Sequence, residues 1–545
     1  MTLLTPQEPR IHAWEESKLP THERMQRARL ILEEVRAGAS PHEALRRYPL
    51  DGEGGGYIGK QFLVAAYRQL VAAGEMAEDP ALLRRIRLKP MRSLSGVSVV
   101  TVLTKPYPCP GKCVFCPTDV RMPKSYLPDE PGAMRALQHQ FDPYAQVRSR
   151  LDALEAVGHP TDKIEFLILG GTWSSYTRAY QEEFILRMFE ALNGAAFDSL
   201  EEAHAYNETA AHRNVGLAIE TRPDHVDAGE IAWLRRLGVT KVQLGAQSFD
   251  DRVLELNKRG HSAAETQRAV DQLRAAGFKI VLHLMPNLLG ATPQTDREDF
   301  VKLWAGHNPD ELKIYPTQLL ENAELYLHWQ RGEYQPYTTE ELVELLAELK
   351  SSIPEYCRVN RVIRDIPSTN VVEGNKRTSL RMDVHARMHE RGQRCRCIRC
   401  REVRGRAVDP AELELRDVPY TTPHAQEHFL SYVTPEDKLA GFLRLSLPVA
   451  DAPAAAQPPH TGLAELAGAA LVREVHVYGQ SLEVGAEQSG AAQHIGLGTQ
   501  LLAQAEELAR AAGYTRMAII AAVGTRRYYA GRGYHLQGTY MVKEL

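Results

Sequence analysis

Apolar residues recur at helical spacing through RMQRARLILEEVRAG (24–38) and KQFLVAAYRQLVAAGEM (60–76), which predicts a helical amino-terminal region over 1–90. The glycine-rich DGEGGGYIG (51–59) between them reads as a turn or flexible loop. From about 97 the pattern changes to short apolar runs: VSVVTVL (97–103), IEFLIL (164–169), VGLAIE (215–220), KVQLGAQ (241–247), KIVLHLM (279–285) and ELKIYP (311–316). Amphipathic stretches such as QEEFILRMFEALNG (181–194) lie between them. Short strands alternating with helices form a parallel sheet, and six such units predict an α/β fold, an open or partial (βα)6 barrel, over 91–350. In such sheets the chemistry gathers in loops leaving the C-terminal ends of the strands. Residues 317–420 show no sustained period and are expected to be irregular, with 351–420 as a separate linker region. Over 421–545 the pattern predicts a second α/β domain. FLSYVTPEDKLAGFLRLSL (429–447) supplies two strands, LPVADAPAAAQPPHTG (447–462) a flexible loop, LVREVHVYG (471–479) a strand, TQLLAQAEELARAAG (499–513) a helix and YTRMAIIAA (514–522) another strand.

Charge adds a partner class. The net charge of −4 makes no case for nucleic acid, but its distribution is uneven. Arg84, Arg85, Arg87, Lys89 and Arg92 form one run without an acidic residue, and a second arginine-rich run from Arg387 to Arg406 includes Arg394, Arg396 and Arg399. One such run is ordinarily a solvated face; two, with arginine favoured in the second, point to a phosphate-bearing partner. No apolar run approaches the roughly 18–20 residues that cross a bilayer, and the first residues lack the form of a secretory signal. A cytoplasmic protein without membrane contact is expected.

Six of the seven cysteines fall in two tight groups, which argues for metal sites over disulfides. Cys109, Cys113 and Cys116 stand at C-x3-C-x2-C spacing directly after the first predicted strand. Three thiolates leave one iron of a [4Fe-4S] cluster with an open position, where the amino and carboxylate groups of S-adenosylmethionine can chelate before reductive cleavage. Gly170 and Gly171, after the second strand, offer bare backbone for the methionine amino group, and Glu220, ending the third, can bind ribose or ammonium. Cys395, Cys397 and Cys400 form the second group. Zinc there needs a fourth ligand, for which His385, His389, His424 and His428 are all candidates; an auxiliary iron–sulfur cluster is the competing reading. Near the carboxy terminus, Gln493-His494-Ile495-Gly496-Leu497-Gly498 opens a long amphipathic helix, a placement suited to a pyrophosphate.

CPGKCVFCP (109–117), MRA (134–136), DPY (142–144), KIEFLILGGT (163–172), IETRPD (219–224), RGH (259–261) and LKIYPT (312–317) together resemble the catalytic subunit of the Elongator complex, a family within the radical S-adenosylmethionine superfamily. REVHVYG (473–479), VGTRRYY (523–529) and LQGTYMVK (536–543) are similar to that family's GNAT acetyltransferase domain. The resemblance implies that Glu474, Val475, His476, Val477, Gly496, Leu497, Gly498, Thr499 and Tyr529 contact acetyl-CoA, and that Lys163 reaches it from the radical domain. It implies structural zinc at the second cysteine group, with the arginines around it shaping an RNA surface. The implied reaction uses acetyl-CoA to build 5-carboxymethyluridine at the wobble position of transfer RNA. Tyr528 and Tyr529 cannot both face one side of a helix, so one of them is expected at the ligand or the domain interface. Lys313 and Tyr315, ending the sixth strand, are placed to line the reaction channel. A homodimer is compatible with the sequence, and no obligatory partner subunit is evident. Three rival readings stand beside the implied one: a protein lysine acetyltransferase with a structural iron–sulfur domain, an RNA-binding scaffold, and a radical methylthiotransferase. The first retains activity without Cys109, the second has no use for oxygen-sensitive thiolates, and the third leaves the acetyl-CoA domain unexplained.

Overall fold

A computed structural model of the protein describes residues 21–50, 56–404, 408–449, 459–478 and 496–545. The chain forms two compact units, Met1–Ser93 with Ser149–Thr161, and Leu94–Arg148 with Asp162–Leu545. In the first, the helix His22–Arg36 starts where the Thr21 hydroxyl accepts the Arg24 N–H, and it buries Ala28, Ile31, Leu32 and Val35 along one stripe. Phe62, Leu63 and Tyr67 of the helix Lys60–Ala72, with Leu82 and Ile86 of Pro80–Ile86, complete that core.

The second unit holds two sheets. One is entirely parallel and runs in chain order through β1 (Ser98–Leu103), β2 (Lys163–Leu169), β3 (Arg213–Thr221), β4 (Lys241–Gln247), β5 (Lys279–Leu284), β6 (Glu311–Ile314) and β7 (Arg358–Arg361). This is the predicted half-barrel with a seventh strand added. The sequence RVNR has no apolar run to announce β7; its place comes from pairing Arg358 with Glu311 and Val359 with Leu312.

The second sheet comprises β8 (Glu414–Thr422), β9 (Ala425–Val433), β10 (Leu439–Pro448), β11 (Ala470–Val477), β12 (Arg516–Ile519), β13 (His535–Gln537) and β14 (Tyr540–Glu544), ordered β13-β14-β12-β11-β10-β9-β8. Only β11 and β12 are parallel, and they pair over Ala470–Val472 alone. The rest of β11 continues beside β10 with no described strand on its other edge. The helix Leu497–Ala511 lays Leu501, Leu502, Ala505 and Ala509 across this sheet.

The expectation of an irregular 317–420 is overturned. That segment contains the helices Thr339–Ser351 and Leu380–Glu390 besides β7 and β8. A capping box was legible in its sequence: Thr338 receives the Glu341 N–H while Glu341 receives the Thr338 N–H. The helix Thr339–Ser351 buries Leu342, Leu345, Leu346 and Leu349 at helical spacing, so its period too stood in the sequence, whereas Leu380–Glu390 buries only Leu380, Val384 and Met388 among charged residues.

Candidate active site

The loop after β1 carries Cys109, Cys113 and Cys116. Three thiols within eight residues of one loop are a donor set for a four-iron cluster, which takes thiolate ligands at separate corners. The Sγ atoms of Cys109 and Cys113 each lie 3.5 Å from where a Cβ on Gly111 would stand, so the glycine keeps the space between them open. Two guanidinium groups face this loop. Arg259 Nη1 donates to Cys113 Sγ at 3.1 Å, and Arg222 Nη1 is buried without a protein partner. Buried cations beside three sulfurs suit an anionic cluster, whose burial would otherwise be costly. Burial and the neighbouring Cys113 push the Cys116 thiol up to about 12, and coordination to iron is what removes such a proton. The residues therefore fit the cluster.

Gly170 and Gly171 have φ of 148° and 92°, and a Cβ on Gly170 would stand 1.8 Å from Thr104 Oγ1. Only glycine serves there. Glu220 accepts from Tyr126 Oη at 2.8 Å and from Lys313 Nζ at 3.3 Å. Lys313 lies 5.8 Å from the Tyr315 ring centroid, and the Tyr315 ring meets the His283 ring at 5.5 Å. Burial, with Lys313 beside it, holds His283 well below its ordinary pKa; neutral, its Nε2 donates to Gln243 Oε1 at 3.2 Å. The structure thus brings Glu220, Lys313 and Tyr315 together. Tyr126, Gln243, His283, Arg222 and Arg259 are additions that no motif announced, because each joins the site through strand order. Arg222 and Arg259 did stand inside the quoted IETRPD and RGH segments.

At the opposite, N-terminal end of the barrel strands lies an ion layer. Lys241 on β4 approaches Glu165 at 2.5 Å and Glu311 at 3.5 Å, while Lys279 on β5 reaches Glu311 at 3.7 Å and pairs with Glu474 on β11. Arg444 Nε donates to Glu474 at 2.9 Å. The Glu474 carboxylate is thus engaged by Lys279 and Arg444, which leaves its backbone on the strand for a ligand. Val475, His476 and Val477 follow on the β11 stretch whose far edge has no described strand. Gly496 (φ 73°) begins the helix Leu497–Ala511 with no side-chain cap, leaving first-turn N–H groups for an anion. Gln493, His494 and Ile495 lie outside the described residues.

Tyr529 is buried in the core of this sheet, whereas a Cβ on Gly498 would meet the Tyr528 hydroxyl at 2.7 Å. Of the pair, Tyr528 is the one at the helix start. Arg532, which sequence reasoning missed, stacks 3.6 Å from the Tyr528 centroid and donates to Thr499 Oγ1 at 2.7 Å. Lys163 is half-buried at the start of β2 beside Arg213, whose Cβ would lie 2.7 Å from one on Gly524 of the VGTRRYY segment.

The basic runs behave less simply than their sequence. Arg85 donates to the carbonyls of Val35, Gly38 and Ala39, and Arg87 to those of Gly158 and the Ser93 hydroxyl. Arg396 pairs with Glu355, and Arg399 Nη1 donates to the Asn360 carbonyl at 2.9 Å. These four guanidinium groups each have a partner within the protein. Arg84 is half-buried, Lys89 and Arg394 are exposed, and the Arg92 side chain lies outside the described part. In the second cysteine group, Cys400 Sγ lies 3.9 Å from His385 Nε2, and Lys350 Nζ lies 3.5 Å from Cys395 Sγ. His424 and His428 pair instead with Asp271 and Asp417.

A parallel half-barrel with a C-x3-C-x2-C loop at the mouth of its first strand defines the radical S-adenosylmethionine class, and the radical SAM superfamily pattern matches residues 107–303. The Radical_SAM C-terminal domain pattern matches 309–390. A tRNA uridine(34) acetyltransferase from Dehalococcoides mccartyi is 43% identical over 83% of this chain and 99% of its own. Elongator complex protein 3 from Danio rerio is 37% identical over 85% and 87% of the two chains. The solved structure of the archaeal Methanocaldococcus infernus Elp3, lacking its first residues, superposes with a TM-score of 0.71 at 38% identity, covering 83% of this chain and 99% of that one. The chain belongs to the Elongator complex protein 3 family. Among the described residues no helix is long and apolar enough to cross a membrane.

Proposed function

We propose that the protein is a tRNA uridine carboxymethyltransferase, which uses a radical from S-adenosylmethionine and the acetyl group of acetyl-CoA to build a carboxymethyl group at carbon 5 of the wobble uridine. The observation that carries this reading is the contact between the two halves: Glu474, on the strand assigned to acetyl-CoA, pairs with Lys279 at the foot of the barrel whose mouth carries the thiol loop. The relatives named tRNA uridine(34) acetyltransferase support the substrate.

Cys109, Cys113 and Cys116 would hold the [4Fe-4S] cluster, with Arg222 and Arg259 balancing its charge. With S-adenosylmethionine held at the open iron, the cluster would supply the reducing electron and the cofactor the adenosyl radical chemistry that could take hydrogen from the acetyl methyl. Backbone at Gly170 and Gly171 orients the methionine end, and Glu220 the ribose or ammonium. Lys313 and Tyr315 line the approach to the uracil, and neutral His283 fixes the Gln243 amide beside them. Acetyl-CoA would lie along Val475–Val477 with its pyrophosphate at Gly496–Thr499, near Tyr528, Arg532 and Lys163. The acetyl-derived carbon radical would add to carbon 5; the ring radical so formed would restore its double bond by releasing the carbon-5 proton and one electron, the electron replacing the one spent on cleaving S-adenosylmethionine, and thioester hydrolysis would leave the carboxymethyl group and free CoA. Cys395, Cys397, Cys400 and His385 are assigned to structural zinc, since of the four candidate histidines His385 is the one beside the thiols.

The test is anaerobic reconstitution followed by mass spectrometry of transfer RNA nucleosides after incubation with labelled acetyl-CoA. Label in 5-carboxymethyluridine is expected, and its absence from uridine overturns the mechanism. One observation favours a second reading, protein lysine acetylation. The thiol loop and the acetyl-CoA strand face opposite ends of the half-barrel, about 20 Å apart for six residues at roughly 3.3 Å each. Cys109→Ala separates the two, because lysine acetylation survives it and uridine modification does not.

A further inference from the structure

The geometry points to Tyr107 as a stacking platform for the nucleobase next to the modified uridine, a subsite that rests on the tRNA reading above. Tyr107 stands two residues before Cys109, at the head of the half-buried thiol loop, and is 38% exposed. Its inner face is already occupied. The ring stacks on Tyr176 with centroids 4.7 Å apart and planes 30° apart, and Tyr176 stacks in turn on Tyr180 at 5.0 Å and 24°. The middle ring is locked: its hydroxyl lies 2.8 Å from Thr104 Oγ1 and donates to the Lys105 carbonyl at 2.7 Å. Tyr107 is therefore braced from behind, with solvent on its other side.

The ladder is closed at its other end, where the Lys105 Nζ lies 4.7 Å from the Tyr180 centroid, so Tyr107 carries its free face. An exposed aromatic face held rigid from behind is how proteins take up single-stranded nucleic acid: a base stacks on it. The need follows from the chemistry. A uridine that leaves its stack to reach the barrel mouth uncovers the face of its neighbour. A rigid ring next to the thiol loop would cover that face and hold the strand in the flipped-out state. Tyr107 is thus a binding residue for RNA; it takes no part in proton or electron transfer.

The test uses the full chain and an anticodon stem-loop RNA in which 2-aminopurine replaces the nucleotide on either side of the wobble uridine in turn. Stacking quenches 2-aminopurine fluorescence, so the readout needs neither cluster nor turnover. Binding of the wild-type protein should quench the probe at one of the two positions. Tyr107→Ala should abolish that quench and weaken binding about tenfold, and Tyr107→Phe should keep both. Iron-loaded absorbance equal to wild type certifies that the alanine variant retains the neighbouring loop. Quenching and affinity unchanged in Tyr107→Ala overturn the platform and leave the tRNA reading standing. A wild-type protein that does not bind the stem-loop removes the tRNA reading, and the platform with it.

Discussion

At the scale of single residues, two glycines near the thiol loop differ in what they protect. A methyl group on Gly111 would stand 2.7 Å from Arg222 Nη1 and between two sulfurs, but it meets no buried backbone and breaks no positive φ. Gly111→Ala should therefore fold with an unchanged melting temperature and lose most of the iron absorbance after reconstitution. Gly170→Ala combines a left-handed φ with a 1.8 Å clash and should lower the melting temperature even without iron. Buried histidines set a pH dependence. Burial lowers His204 to about 3 and His307 to about 4, whereas the unfolded side chains take up protons near 6.5. Between those values the unfolded chain binds more protons, so stability falls as pH drops from about 6.5 toward 4. Melting temperatures measured across that range should show the slope, and His204→Gln should reduce it.

At the scale of elements, the junction of β11 with the barrel rests on charges that have left water. Arg473 is fully buried and donates to both oxygens of the equally buried Asp310, at 2.7 Å each, and to Glu427. The extra residue on β11 at this point, opposite the step from Arg444 to Leu445, lets the strand present Arg473 and Glu474 to the barrel in succession. Truncating Arg473 to methionine strands Asp310 and should cost roughly 3–5 kcal/mol in denaturant unfolding. Arg473 and Arg444 hold Asp310 well below the usual carboxylate range against its burial, so its contribution is complete above about pH 4 and is lost as pH falls through the depressed value. Lys279 and Glu474 form the more informative pair. Lys279→Glu should cut labelled acetyl transfer at least tenfold while 5′-deoxyadenosine formation persists. The exchange Lys279→Glu with Glu474→Lys should recover part of it. Equal loss of both reactions would reduce the pair to a structural role.

At the scale of the whole second unit, the ion layer of Glu165, Lys241, Lys279 and Glu311 lies at the N-terminal end of the barrel strands, away from the thiol loop, and so between the proposed radical centre and the proposed acyl donor. The proposed reaction requires the acetyl unit to pass or reorganise that layer, which makes Lys241 and Lys279 the residues whose substitution should affect acetyl transfer before acetyl-CoA affinity. Much of this unit was legible beforehand. The strands β1 to β6 fell on apolar runs because a parallel sheet covered on both faces needs them. The cysteine spacing announced itself because ligands of one cluster must lie in one short loop. β7 and the helix Leu380–Glu390 were not legible, since charged residues fill them and neighbours supply their reasons to exist. Arg85, Arg87, Arg396 and Arg399 show the same limit. A run of arginines looks alike whether it faces phosphate or its own backbone.

The sequence by itself determined the order of strands and helices, the two sulfur ligand sets, and the glycines at sharp backbone turns, because each depends on residues close along the chain. Tertiary structure alone decided that His385 is the histidine beside the second sulfur set and that Glu474 is held by Lys279. It also decided that Tyr528, not Tyr529, reaches the helix start, and that the two half-sites face opposite ends of one barrel. Those outcomes depend on distances between segments far apart in the chain, and packing, not local pattern, sets such distances.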